Sequence, residues 1–142
     1  MTENKFVGKI KSSGYQVGVQ RSVDLRVEMV WEFLLSKKGM AIWLGTWEFD
    51  KWETGIEYRT KEGINGIVRA FKVYSHIRLS WHRKGWTNDS ILQIRTIGRD
   101  RKTVISFHQE KLTDSIQREE MKQYWIRVVE QLVTWLPDGE LI

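Results

Sequence analysis

Cysteine is absent from these 142 residues, which excludes disulfides, thiolate metal ligands and cysteine nucleophiles together. Proline occurs once, at Pro137, so the rest of the chain is free of its strand-breaking geometry. No stretch approaches the roughly 18 consecutive apolar residues of a membrane span. Residues 1–10 lack the apolar core of a secretory signal. The expectation is a cytoplasmic protein that does not engage a membrane. Charge of one sign is also scarce locally. The net charge is +5, yet the 23 Lys and Arg residues are spread along the chain. The tightest run, Arg99-Asp100-Arg101-Lys102, is broken by an acid and sits in an apparent hairpin turn. A nucleic-acid footprint would concentrate its basic residues on one element, so no nucleic-acid partner is predicted.

Catalytic signatures are missing too. There is no Gly-x-Ser-x-Gly elbow, no P-loop and no dinucleotide fingerprint. The three histidines, His76, His82 and His108, show no ligand-like spacing, and a zinc site needs about four convergent ligands. No catalytic residue, metal site or cofactor is therefore predicted.

What the chain has is tryptophan: Trp31, Trp43, Trp47, Trp52, Trp81, Trp86, Trp125 and Trp135. Indole is a large apolar body with a single donor, so this number predicts either a bulky core or the wall of a cavity. Hydrophobic residues at 41% and charged residues at 29% are values of a globular chain. The length suits a single domain over 1–142, with residues 1–13 and 137–142 read as frayed tails.

Residues 15–23 alternate at period two and predict a first strand. Asp24 then offers a helix start, and Val27, Val30, Trp31 and Leu34 follow at helical spacing, predicting a helix over 26–36. Gly39 is read as interrupting it before a second short helix, Met40-Ala41-Ile42-Trp43-Leu44, that ends at Gly45. From Thr46 to Leu112 apolar residues alternate between recurring glycines, the pattern of an antiparallel meander. The predicted strands are 47–52, 55–62, 65–74, 77–83, 90–97 and 103–112. Ile77, Leu79, Trp81, Leu92, Ile94, Ile105 and Phe107 form the inward set; Arg78, Ser80, His82, Gln93, Arg95, Ser106 and His108 form the wet face. Asp114, three residues before Gln117, predicts the cap of a long last helix. Met121, Trp125, Val128, Leu132 and Trp135 make its apolar stripe, and Pro137 ends it. The fold class is therefore α+β: a seven-stranded curved antiparallel sheet around a long C-terminal helix, with two short helices after the first strand, the helix-grip arrangement. Only that last helix is long enough to cover the sheet's apolar face.

These motifs resemble the SRPBCC, or START-like (birch-pollen-allergen fold), superfamily, and within it the group named after the C-terminal domain of activators of the heat-shock-protein-90 ATPase. The resemblance rests on Val30-Trp31 after Asp24-Leu25-Arg26, on Trp43-Leu44, and on Gly55 to Tyr58. It continues through Gly63, Gly66-Ile67-Val68, Leu79-Ser80-Trp81, and Thr103 to Leu112 followed by Tyr124-Trp125. It covers about residues 15–136. Three positions depart from the group's pattern: Arg26 for a proline, Tyr124 for a glycine and Gln109 for a histidine.

The resemblance implies a pocket between sheet and helix, and three functions compete for it. The first is a binding module for an unidentified small apolar or aromatic molecule. Its site residues would be Trp43, Tyr58, Trp81, Ile94, Phe107, Gln109, Met121 and Trp125. The second is a protein-interaction or co-chaperone-like module with a chaperone or another protein as partner and a stress-response role. The third, an enzyme, would need an inward acid–base pair; Glu48, Glu57 and Gln109 are the polar candidates, and Gln109 alone has inward parity. The competing structural reading makes the same aromatics and the helix stripe ordinary core. Gln109, pointing inward with Ile105 and Phe107, would cost about 1–3 kcal/mol if unpaired, so a protein group or a water is expected to bond it.

Overall fold

The structure, a computed structural model, describes residues 14–47 and 51–137 together with the backbone pairing of Lys9–Ile10. The remaining residues of the two expected tails, and Glu48, lie outside the described residues. The elements run β1 (Lys9–Ile10), β2 (Gly14–Val23), α1 (Val27–Leu35), α2 (Lys37–Trp43), β3 (Glu57–Arg59), β4 (Ile64–Lys72), β5 (His76–Arg83), β6 (Ser90–Arg99), β7 (Lys102–Leu112) and α3 (Ser115–Trp135). All pairings are antiparallel, in the order β1-β2-β7-β6-β5-β4-β3. Because β1 is a two-residue pairing at the edge, the sheet has, among the described residues, six strands of three residues or more, and the expectation of seven full strands is corrected.

The missing one is the strand expected over 47–52. Residues 48–50 lie outside the described residues, and Trp47, Lys51 and Trp52 are not strand. Their aromatics pack as a loop instead. The strand expected over 55–62 shrinks to Glu57–Arg59.

The break between the two short helices falls at Ser36 rather than Gly39. Its hydroxyl donates to Phe33 O at 2.6 Å, closing α1, and accepts from Gly39 N at 3.0 Å, capping α2. Gly39 lies inside α2, where a Cβ would sit 1.9 Å from Phe33 O, so only glycine lets the two helices turn this tightly. Asp24 does not cap α1; the N-cap is Arg26, which makes no side-chain capping bond.

Four strands and the helix follow their sequence patterns closely. Across the sheet one inward row reads Val19, Phe107, Ile94, Ile77, Phe71 and the next reads Val17, Gln109, Leu92, Leu79, Val68. A bulge between Val68 and Ala70 shifts the parity of β4, so that Val68 and Phe71, three apart, share the inner face. The outer face carries the polar set, tied by Arg78 to Glu110 at 2.6 Å and to Gln93 at 3.3 Å.

Asp114 caps α3 as expected, accepting from Gln117 N at 2.7 Å. The helix lies against β2 and β7 with Met121, Trp125, Val128, Val129 and Leu132 buried. Trp135 leaves the expected stripe: it is 54% exposed, with the Lys38 ammonium 3.1 Å from its ring centre. Among the described residues, no helix is long and apolar enough to cross a membrane.

Candidate functional site

Seven of the eight expected site residues, Trp43, Tyr58, Trp81, Ile94, Phe107, Met121 and Trp125, meet in one buried cluster in the hollow of the sheet. Gln109 is the eighth, and it is 0% exposed. They pack on one another. Phe107 of β7 stacks on Trp125 of α3 with ring centres 5.1 Å apart, and Trp125 meets Trp81 of β5 at 5.8 Å. Trp43 of α2 meets Phe107 edge-on at 6.3 Å. All these separations fall in the range where aromatic pairs attract beyond simple burial.

Three side chains in this core are joined in one relay. Trp125 Nε1 donates to Gln109 Oε1 at 2.7 Å, Gln109 Nε2 donates to Ser90 Oγ at 2.8 Å, and Ser90 Oγ donates to Trp81 O at 2.6 Å. The amide expected to need a partner thus finds two, both from the protein. Ser90 was not among the expected residues. Its signal was available: it shares parity with Leu92 and Ile94 on β6, which places a hydroxyl on the inner face.

Tyr58 donates its phenol to Ser80 O at 2.6 Å, and burial pushes its pKa well above the ordinary phenol range. Trp43 is fixed through Nε1, which donates to Leu34 O at 2.8 Å. Trp81 differs. Its ring is fully buried, and its Nε1 has no hydrogen-bond partner. Such a donor costs about 1–3 kcal/mol while unmet.

Two further groups of aromatics extend the cluster, and neither was expected at the site. On the α2 side, Trp52 is half-buried and nearly parallel to both Trp43 (6.2 Å, 19°) and Phe71 (5.7 Å, 9°). Trp47 meets Trp52 and Tyr58, each at 5.2 Å. On the α3 side, the Arg83 guanidinium lies over Trp81 (5.2 Å), Trp86 (5.7 Å) and Tyr124 (5.1 Å). Burial raises the Tyr124 pKa, with Arg83 opposing it. A groove of about 610 Å³ opens beside this cation, lined by Arg83, Ile116, Glu119, Glu120, Tyr124 and Arg127.

The remaining polar candidates lie elsewhere. Glu57 is exposed on β3. His76 Nδ1 pairs with Ser75 Oγ (2.8 Å), His82 Nε2 with Trp86 O (2.8 Å) and His108 Nε2 with Gln16 Oε1 (2.9 Å). Among the described residues, no three His, Asp or Glu side chains converge as a metal site would require.

A curved antiparallel sheet gripping a C-terminal helix, with an aromatic cluster packed between them, defines a START-like protein. A family model described as activator of Hsp90 ATPase homolog 1-like protein matches residues 24–136, and the chain belongs to that family. No curated protein matches it in sequence. Among solved structures, it is similar to CalU16 from Micromonospora echinospora (TM-score 0.75, 17% identity, 93% of this chain and 83% of that one). It is also similar to DynU16, a protein of the dynemicin biosynthetic locus (TM-score 0.76, 20% identity, 87% of this chain). The match spans 48% of DynU16, about half its length. An HSP90 activator from Plasmodium falciparum shares the fold at TM-score 0.68 and 13% identity, over 80% of this chain and 89% of that one.

Proposed function

We propose that this protein is a binding module for a small, flat, largely apolar molecule carrying a hydrogen-bond acceptor, taken into the hollow between sheet and α3. The observation that carries this reading is the Trp81 indole N–H, buried and without a hydrogen-bond partner beside the bonded set of Trp125, Gln109 and Ser90. An acceptor on the ligand would satisfy it. The surrounding rings of Trp125, Tyr124 and Trp86 offer faces and edges on which an aromatic body gains contact. Among the described residues, the polar groups of this core are indoles, a phenol, an amide and a hydroxyl, which suit binding.

The test is a titration with flat, acceptor-bearing polycycles such as 9-anthracenecarboxylate and flavone, followed by tryptophan emission and by the indole N–H resonance of Trp81. Binding should quench the emission and move that resonance downfield. Trp81→Phe should weaken binding of the acceptor-bearing probe and leave anthracene itself unaffected. An unchanged spectrum across the whole panel would overturn the reading.

A second reading, an interaction module for a chaperone, is favoured by a separate feature. Val73, Tyr74 and Ile97 are exposed apolar residues near one end of the sheet, where Thr96 bonds the backbone of Tyr74 and Ser75. The likeness to an Hsp90 activator supports it. Stimulation of an Hsp90 ATPase by the purified protein, lost in Tyr74→Ser, would put this reading first.

A further inference from the structure

We infer that Trp52 is an internal stand-in for the ligand: its indole covers the flat surface that a polycyclic aromatic molecule takes when it enters the hollow. This rests on the small-molecule reading above and adds a second contact surface on the α2 side, apart from Trp81, together with what a molecule must displace there.

Two of the rings that Trp52 touches, those of Trp43 and Phe71, belong to regular elements and are held from behind. Trp43 sits at the end of α2, with its indole N–H bonded to Leu34 O at 2.8 Å. Phe71 is on β4 and is backed by Trp31 of α1 at 5.7 Å. Trp52 itself lies on neither helix nor strand. Its ring planes differ from theirs by only 19° and 9°, so one flat body serves two near-parallel faces. The neighbours Lys51 and Glu53 are exposed and pair with each other at 3.0 Å, so Trp52 is the residue of the three that faces the core. Beyond Trp43, the rings of Phe107, Trp125 and Trp81 continue into the hollow. A side-chain rotation that lifts Trp52 therefore bares a preorganised aromatic surface contiguous with the buried core. Trp47, edge-on to Trp52, meets Tyr58 as well and remains as the rim. The ligand class is set by this geometry: a fused planar system about as large as an indole or larger, because its faces must replace those of Trp52.

A ligand that must first displace an internal occupant binds more weakly by the fraction of molecules in which the site is open. If the open form is about 1–10% of the population, removing the occupant should tighten binding about ten- to a hundredfold. The experiment compares wild type, Trp52→Ala and the milder Trp52→Leu for binding of 9-anthracenecarboxylate, read by energy transfer from tryptophan to anthracene. Tighter binding in either variant supports the inference. Equal binding in wild type and both variants overturns it while leaving the small-molecule reading standing. Binding in none of them overturns both. Should both variants fail to fold, wild type labelled with 5-fluorotryptophan decides. On addition of the probe, the Trp52 fluorine signal should move toward its solvent-exposed position, and a signal that stays put counts against the inference.

Discussion

Trp125 on α3 and Gln109 on β7 are joined by a 2.7 Å hydrogen bond from indole nitrogen to amide oxygen, in a place where both side chains are shut off from solvent. The bond fixes the rotation of the long helix over the sheet, because an indole N–H has one direction and Gln109 Oε1 is its partner. The Gln109 amide then passes the constraint to Ser90.

Gln109→Leu should lower stability by about 1–3 kcal/mol, since it strands the buried Trp125 donor. Combined with Trp125→Phe, the loss should be less than the sum of the two single changes, because neither partner is then left unmet. Urea midpoints of the four proteins measure this. Strict additivity would show that the bond carries no coupling.

Tyr58 links alkaline pH to stability. Its folded pKa is raised by burial, so between the ordinary phenol value and the folded value the unfolded chain has lost a proton that the native one keeps. The contribution is complete below pH about 10 and declines as pH climbs above it. Tyr58→Phe should cost about 0.5–1.5 kcal/mol at neutral pH through the lost bond to Ser80 O. The gap between the two proteins should then narrow above pH about 10. A gap independent of pH would contradict it.

His76 acts on the acid side. Partial burial, then Arg95 and Lys72, hold its pKa below the usual imidazole value. The unfolded chain therefore takes up a proton first, and stability should decline as pH falls through about 6.5. His76→Gln should flatten that slope, and the imidazole NMR titration should read a midpoint below that of a free histidine.

Gly66→Ala should be severely destabilising. A Cβ there would lie 1.9 Å from Ser80 O, which is backbone and cannot yield without moving β5. Tyr58 bonds that same carbonyl oxygen. Gly85→Ala is the control: its Cβ would meet nothing within 4 Å, and its cost is that of a φ of +92° alone. Thermal melts of the pair should differ clearly in Tm.

The strands β2, β5, β6 and β7 and the helix α3 were legible because each has one wet and one apolar face, so burial imprints a period on the sequence. Phe107, Gln109 and Trp125 followed from that period, whereas Trp43 on α2 followed from the family resemblance. Trp52 did not. Read as an alternating strand with Trp47, it is a loop residue whose position is set by Trp43 and Phe71, neither of which is near it in sequence. Ser36 escaped for a different reason: a serine between two helical stretches can cap either, and here it serves both. Phe71 was hidden by the bulge, which breaks the parity rule inside its own strand.

The rings that fill the hollow form an unbroken series from Trp86 through Trp81, Trp125, Phe107, Trp43, Trp52 and Phe71 to Trp31, with neighbouring centres 5.1–6.3 Å apart. Light absorbed by one indole will pass readily to the others at such spacing. The protein should therefore glow as a single, strongly depolarised emitter. A quencher seated at either end would dim the whole series, so intensity alone reports that something has arrived, and only a site-resolved probe tells at which end.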